Sequence, residues 1–205
     1  MQVAAPSLME VSMHLLKNRS IHFYLVFFLI LTMVIGGSAI AAFADSGTGA
    51  TIAVNSGTLS ESGPTSVSAT AVTLNGNDQT TSYLLGLTVI DARGSGGGWN
   101  LTITSTTFTT GAHSLSTTAS SITGMSTSCV TNSTCTPPTS SINYPPSLGV
   151  PAAATAPTPV KFFNAAANTG MGSITVTPTV SVSIPANTFF GSYTSTVSVA
   201  VVSGP

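Results

Sequence analysis

The sequence predicts an all-β fold, an antiparallel β-sandwich preceded by a helical N-terminal segment, and three observations carry that prediction. Apolar and hydroxyl residues alternate with period two over the C-terminal third. β-prone runs recur at short spacing between Gly, Asn, Ser and Pro, which is the pattern of a sandwich or barrel. No stretch after residue 44 keeps a helical period over ten residues. The chain of 205 residues holds only four Lys+Arg and five Asp+Glu, far below the roughly 25% charge of an average globular protein. Serine and threonine therefore do most of the solvating. With 42% hydrophobic residues it is not a disordered chain, and with Arg93 and Lys161 as the only bases after residue 44 it lacks a nucleic-acid footprint.

The N-terminal segment comes first. Lys17 and Arg19 precede a stretch, Ser20 to Ala44, without Lys, Arg, Asp or Glu, and its apolar heart ends at Gly36-Gly37. Ala42-Phe43-Ala44 then places small residues at −3 and −1 before Asp45. A basic flank, apolar helix, glycine break and small-x-small site predict a signal peptide over 1–44 with cleavage after Ala44. The alternative is an uncleaved anchor, since the run is long enough to span a bilayer; residues 20–44 would then be the protein's membrane contact. In both readings residues 45–205 form a single domain outside the cytoplasm, secreted or at the cell surface. Its four acids (Asp45, Glu61, Asp78, Asp91) and two bases (Arg93, Lys161) leave a net charge of −2.

Within that domain, Thr51–Val54, Val67–Leu74, Tyr83–Asp91, Trp99–Thr106 and Val160–Phe163 read as short strands, with a bulge near Ala71-Val72. From Ile174 to Ile184 the even positions are apolar or proline and the odd ones Thr or Ser, a half-buried strand. Pro178 cannot donate to a ladder, so the run is expected at a sheet edge or split in two. Tyr193, Val197, Val199 and Val201 share one face of a last strand, and the two runs are expected to pair as a C-terminal hairpin. Seven of the twelve prolines fall between Pro137 and Pro159. That density predicts an exposed, partly polyproline insertion within a Ser/Thr/Pro-rich stretch of about 126–159. Cys129 and Cys135, the two cysteines, read as a local disulfide in an exported chain.

Catalytic chemistry finds little support. His113 is the one histidine after residue 44 and lacks a G-x-S-x-G elbow; it reads as an exposed strand or loop residue. Glu61, Asp78 and Asp91 lie beside turn residues or other polar anchors, so structural roles are expected rather than a glycosidase pair. Gly94-Ser95-Gly96-Gly97-Gly98 lacks a following Lys and leads into a strand, so it is a tight connection and not a phosphate loop. No catalytic residue, metal ligand set or cofactor is expected. Asn100-Leu101-Thr102 and Asn132-Ser133-Thr134 match the glycosylation sequon and carry little weight.

Two motifs are informative. Asp91-Ala92-Arg93-Gly94 is followed by Gly98-Trp99-Asn100-Leu101-Thr102, and the chain closes with Tyr193, Val197, Ser198, Val199, Val201 and Pro205. Together they resemble the WxL-domain surface proteins of Gram-positive and related bacteria, with Trp99 and Leu101 supplying the first motif. The distal motif keeps its spacing, but Val199 stands where the family has its second Trp, Ser198 where it has Thr, and Val201 where it has Leu. The resemblance covers about Thr51 to Pro205, apart from the Pro-rich insertion. It implies a noncatalytic protein attached noncovalently to the cell wall, with peptidoglycan or another wall glycan as ligand and other surface proteins as potential partners. A self-assembling surface or adhesion subunit is the alternative.

The ligand candidates are Trp99, Leu101, Asp91, Arg93 and Tyr193. Trp99 shares a strand face with Leu101 and Ile103, which favours a core role over a sugar platform. Asp91 and Arg93 can pair and brace the glycine turn, a contribution of at most about 1 kcal/mol if exposed.

Overall fold

The computed structural model describes residues 49–144 and 146–205. The signal or anchor expected over 1–44 lies outside them. Among the described residues there are twelve strands and no helix. In chain order they are β1 (Leu59–Ser62), β2 (Gln79–Leu84), β3 (Leu87–Asp91), β4 (Trp99–Thr106), β5 (Thr109–Thr110) and β6 (His113–Ser114). These are followed by β7 (Ser120–Cys129), β8 (Leu148–Gly149), β9 (Ala152–Ala153), β10 (Val160–Ala165), β11 (Gly172–Ile184) and β12 (Val197–Ser203).

They form a six-stranded sheet ordered β1-β3-β11-β7-β8, with β2 also on β11, and a four-stranded sheet ordered β10-β4-β12, with β9 on β4. β5 and β6 make a small separate hairpin. Pairing is antiparallel except between β4 and β9. The two sheets bury their apolar faces in one core, Val89, Ile122, Ile174, Val176 and Val180 from the larger and Trp99, Leu101, Ile103 and Phe162 from the smaller. β10 contributes two successive phenylalanines to the interior, Phe162 and Phe163. It does so by a register shift between Lys161 and Phe163, the extra residue of a bulge that resets which side chains face inward.

Four expectations need correction. The strand containing Pro178 is neither an edge nor broken. β11 pairs with β7 on one side along most of its length, and on the other with β3 and then β2. Pro178 sits at the handover between those two, where its carbonyl accepts from Leu85 N at 3.1 Å. In an antiparallel ladder a residue's N–H and C=O face the same neighbour. The missing N–H therefore falls in the gap where β2 has ended and β3 has not begun, and no ladder bond is lost. The Tyr83–Asp91 run is divided at the same place.

The C-terminal runs, second, do not form a hairpin. β12 crosses to the other sheet and pairs with β4, Val197 opposite Ser105 through Ser203 opposite Trp99. The connection 185–196 is long enough to change sheets, and the faces of β12 match a vacant flank of β4, not of β11.

Third, Thr51–Val54 and Val67–Leu74 are not strands. Their β propensity finds no neighbour: Val54 is exposed, and the second run is attached by single contacts such as Thr81 Oγ1 donating to Thr70 O at 2.7 Å.

Finally, the Pro-rich segment is not a free insertion. β8 joins it to β7 and β9 joins it to β4, so it links the two sheets, and Val150 is buried. Prolines cannot donate but still accept: Pro151 O takes Ser105 N at 3.0 Å and Pro157 O takes Thr104 Oγ1 at 2.8 Å.

Candidate functional site

The two sequence motifs, far apart in the chain, meet at the end of the domain where β4 begins. Asp91 closes β3, and the 94–98 glycine connection carries the chain across to Trp99 in the other sheet. Arg93, inside that connection, binds Asp91 through both carboxylate oxygens, Nε to Oδ1 at 2.9 Å and Nη2 to Oδ2 at 2.9 Å. Nη2 also donates to Gly98 O at 2.7 Å, and Nη1 donates to Ser203 Oγ on β12. One guanidinium thus ties the first motif to the second. The Asp91 side chain is 1% exposed and that of Arg93 17%, so the carboxylate is buried beneath a half-buried guanidinium and the small value for a fully exposed pair does not apply. The hydrogen bonds from Arg93 hold the Asp91 carboxyl below the usual aspartate range, outweighing burial, which acts in the opposite sense.

Trp99 lies beneath this clasp. Its side chain is wholly buried, its Nε1 donates to Gly170 O at 2.8 Å, and its ring lies 5.8 Å from that of Phe163. The ring presents no face to solvent. Two glycines make the fit possible. At Gly98 (φ 67°) a Cβ would stand 2.5 Å from Ala165 O, and at Gly170 (φ 70°) one would stand 2.7 Å from Trp99 Nε1. Leu101 is buried opposite Phe163 on β10 and Val201 on β12. Asn100, the first sequon asparagine, is buried and donates Nδ2 to Gly204 O at 2.8 Å. At the same end Ser56 Oγ donates to Arg93 O at 3.0 Å and Gly57 N to Ala92 O at 2.9 Å, while Gly204 N donates to Gly98 O at 3.1 Å. The Cys129–Cys135 disulfide forms here as expected, closing the turn after β7 against the 170–172 segment.

Of the five candidates, then, Asp91, Arg93, Trp99 and Leu101 come together, and all but Arg93 are buried. Tyr193 stands apart. It is half-buried at the opposite end, where its hydroxyl donates to Phe189 O at 3.0 Å. That loop holds what the motifs gave no hint of: Phe189 and Phe190 are exposed, and His113 of β6 stacks on Phe189. The available signal was the pair of adjacent aromatics in an Asn/Thr/Gly/Ser turn, where a core role has no strand to serve.

No cluster of three or more His, Cys, Asp or Glu occurs among the described residues. Asp91 is consumed by Arg93, and Glu61, on β1, has its pKa raised by partial burial alone. Such an arrangement holds a fold together. It defines a two-sheet β-module locked at one end by its own two motifs. The chain belongs to the WxL family: the family described as "WxL domain surface cell wall-binding" matches residues 54–201. No curated protein and no solved structure gives a match.

Proposed function

We propose that this protein is a noncatalytic bacterial surface module that attaches noncovalently to peptidoglycan through its WxL domain. The family match, which spans nearly the whole folded unit from residue 54 to 201, is the observation that carries this reading. The geometry supports it: the titratable groups of the first motif are engaged with one another, and the hydroxyl-rich, sparsely charged exterior suits a polysaccharide mesh. Such a surface neither sticks to nor is repelled by polyanionic wall polymers.

The test is co-sedimentation of the full chain, kept in mild detergent, with isolated peptidoglycan before and after secondary wall polymers are stripped. Saturable retention on stripped walls is expected. Retention only on unstripped walls would reassign the ligand to a secondary polymer. Absence of retention on both, together with concentration-dependent association in sedimentation velocity, would replace wall binding with self-assembly.

A further inference from the structure

We propose that the loop between β11 and β12 is the glycan-contacting surface of the domain, with Phe190 and the stacked Phe189–His113 pair as a platform for a pyranose ring of the wall polysaccharide. The inference rests on the wall-binding reading and deepens it by naming the face and the chemical group that face takes.

Phe190 is 92% exposed and Phe189 59%. Burying a phenylalanine is worth roughly 2 kcal/mol, and neither ring is placed to collect it. Exposed apolar side chains scattered singly need no explanation, but these two are adjacent on one loop.

The loop presenting them is fixed. At its start Ala186 N donates to Asp78 Oδ1 at 2.8 Å. At its end Thr109 and Thr194 exchange backbone hydrogen bonds at 3.0 and 2.9 Å. Between these ties, Tyr193 holds the Phe189 carbonyl, and Gly191 packs so closely that a Cβ would stand 2.7 Å from Thr110 Oγ1. The His113 and Phe189 rings stack face to face, 3.7 Å apart with planes 10° from parallel, so the imidazole backs one face of Phe189 and fixes the ring while much of that side chain stays exposed. A platform ordered before contact spends little binding free energy on ordering.

The surroundings choose the ligand. An aromatic face is electron-rich, and the axial C–H face of a pyranose is its apolar, weakly positive counterpart. The ring's hydroxyls need polar partners, and the same loop carries exposed Asn187, Ser192 and Thr194. At the foot of the same loop an open groove of about 570 Å³ is lined by Thr73, Asp78, Gln79, Thr80 and Ser183 among others. Its hydroxyl, amide and carboxylate side chains offer donors and acceptors of the kind sugar hydroxyls pair with. A protein partner is the poorer fit, because two phenyl rings in a hydroxyl field fall well short of the roughly 800 Å² per side that stable protein interfaces bury.

The experiment compares the full-length protein with Phe190→Ala and Phe189→Ala/Phe190→Ala on stripped peptidoglycan, with N-acetylglucosamine oligosaccharide as soluble competitor. The emission of the single, buried Trp99 reports the fold in each sample. Retention is expected to fall about threefold or more in the single variant and at least tenfold in the double, with Trp99 emission unchanged and with oligosaccharide displacing the unaltered protein. Unaltered protein that binds while both variants bind equally well overturns the platform and leaves wall binding standing. Unaltered protein that does not bind overturns both. Should the double variant lose its fold, undiminished binding by Phe190→Ala, whose ring supports nothing else, overturns the platform by itself. Concentration-dependent self-association abolished by Phe190→Ala, with glycan retention intact, would make the rings a contact between copies and overturn it as well.

Discussion

Where β4 begins, the domain turns its chemistry inward: Arg93 spans Asp91, Gly98 and Ser203, the Trp99 indole is bonded to Gly170, and a disulfide closes the neighbouring turn. Where β4 ends, the hydrogen bonds tie down a loop whose two phenyl rings stay in water. The first motif and the tail of the second share the first end, while the second motif's Tyr193 and the exposed aromatic loop lie at the second. Distinctive spacing marks the requirements of folding, since a buried carboxylate with its guanidinium and a glycine under an indole admit few replacements. Contact with an outside polymer asks only for exposed rings on a fixed loop, which leaves no pattern to find.

Substitutions at the two ends should therefore separate cleanly in unfolding experiments. The largest loss is expected from Trp99→Ala, which empties the core beneath the clasp and orphans Gly170 O. A cost of about 4 kcal/mol should appear as a lower denaturant midpoint, and a loss under about 1 kcal/mol would show that the indole is not a core plug. Arg93→Ala follows, because it strands a buried carboxylate. About 3 kcal/mol is expected, and a value near that of an exposed pair would place Asp91 in contact with water. Replacing both cysteines by serine removes a small ring worth about 2 kcal/mol, readable by comparing oxidised and reduced protein. Phe190→Ala should shift stability by less than about 0.5 kcal/mol. If it costs as much as the clasp substitutions, the contrast between the ends collapses.

Acid should reveal the same asymmetry. Arg93 lowers the folded-state pKa of Asp91, so this carboxylate's stabilisation is fully present above the unfolded aspartate value of about 3.9. It is lost as pH falls from there through the lower folded value. Glu61, raised by burial, has the opposite sign. Its contribution is greatest below the unfolded glutamate value and fades as pH rises through the folded one. Stability measured from pH 7 to 2 should drop most steeply below about pH 4, and Asp91→Asn should flatten that drop.

Much of the fold could be read where side-chain burial and backbone pairing agree. The bounds of β4 follow from Trp99, Leu101 and Ile103 on one face, and the local disulfide from two cysteines in a turn. β11 shows its alternation, but the position of Pro178 depends on where β2 and β3 end, which lies in other segments. β7 went unread because its sequence, SSITGMSTSC, buries little beyond Ile122 and takes its order from the ladder with β11. The false hairpin had the same origin, since alternation says which face is apolar and not which sheet receives it. At the site, the Asp91–Arg93 pairing was legible from spacing, but the further tie from Arg93 to Ser203 was not, because that residue lies about a hundred residues on, in the other sheet.

The position of Ser56, Gly57 and Ser203 has a geometric consequence. The polypeptide enters the folded unit beside Ala92 and Arg93 and leaves it beside Gly98 and Arg93, so both leads emerge from one pole. The aromatic loop lies at the other end of β4, away from both of these ties.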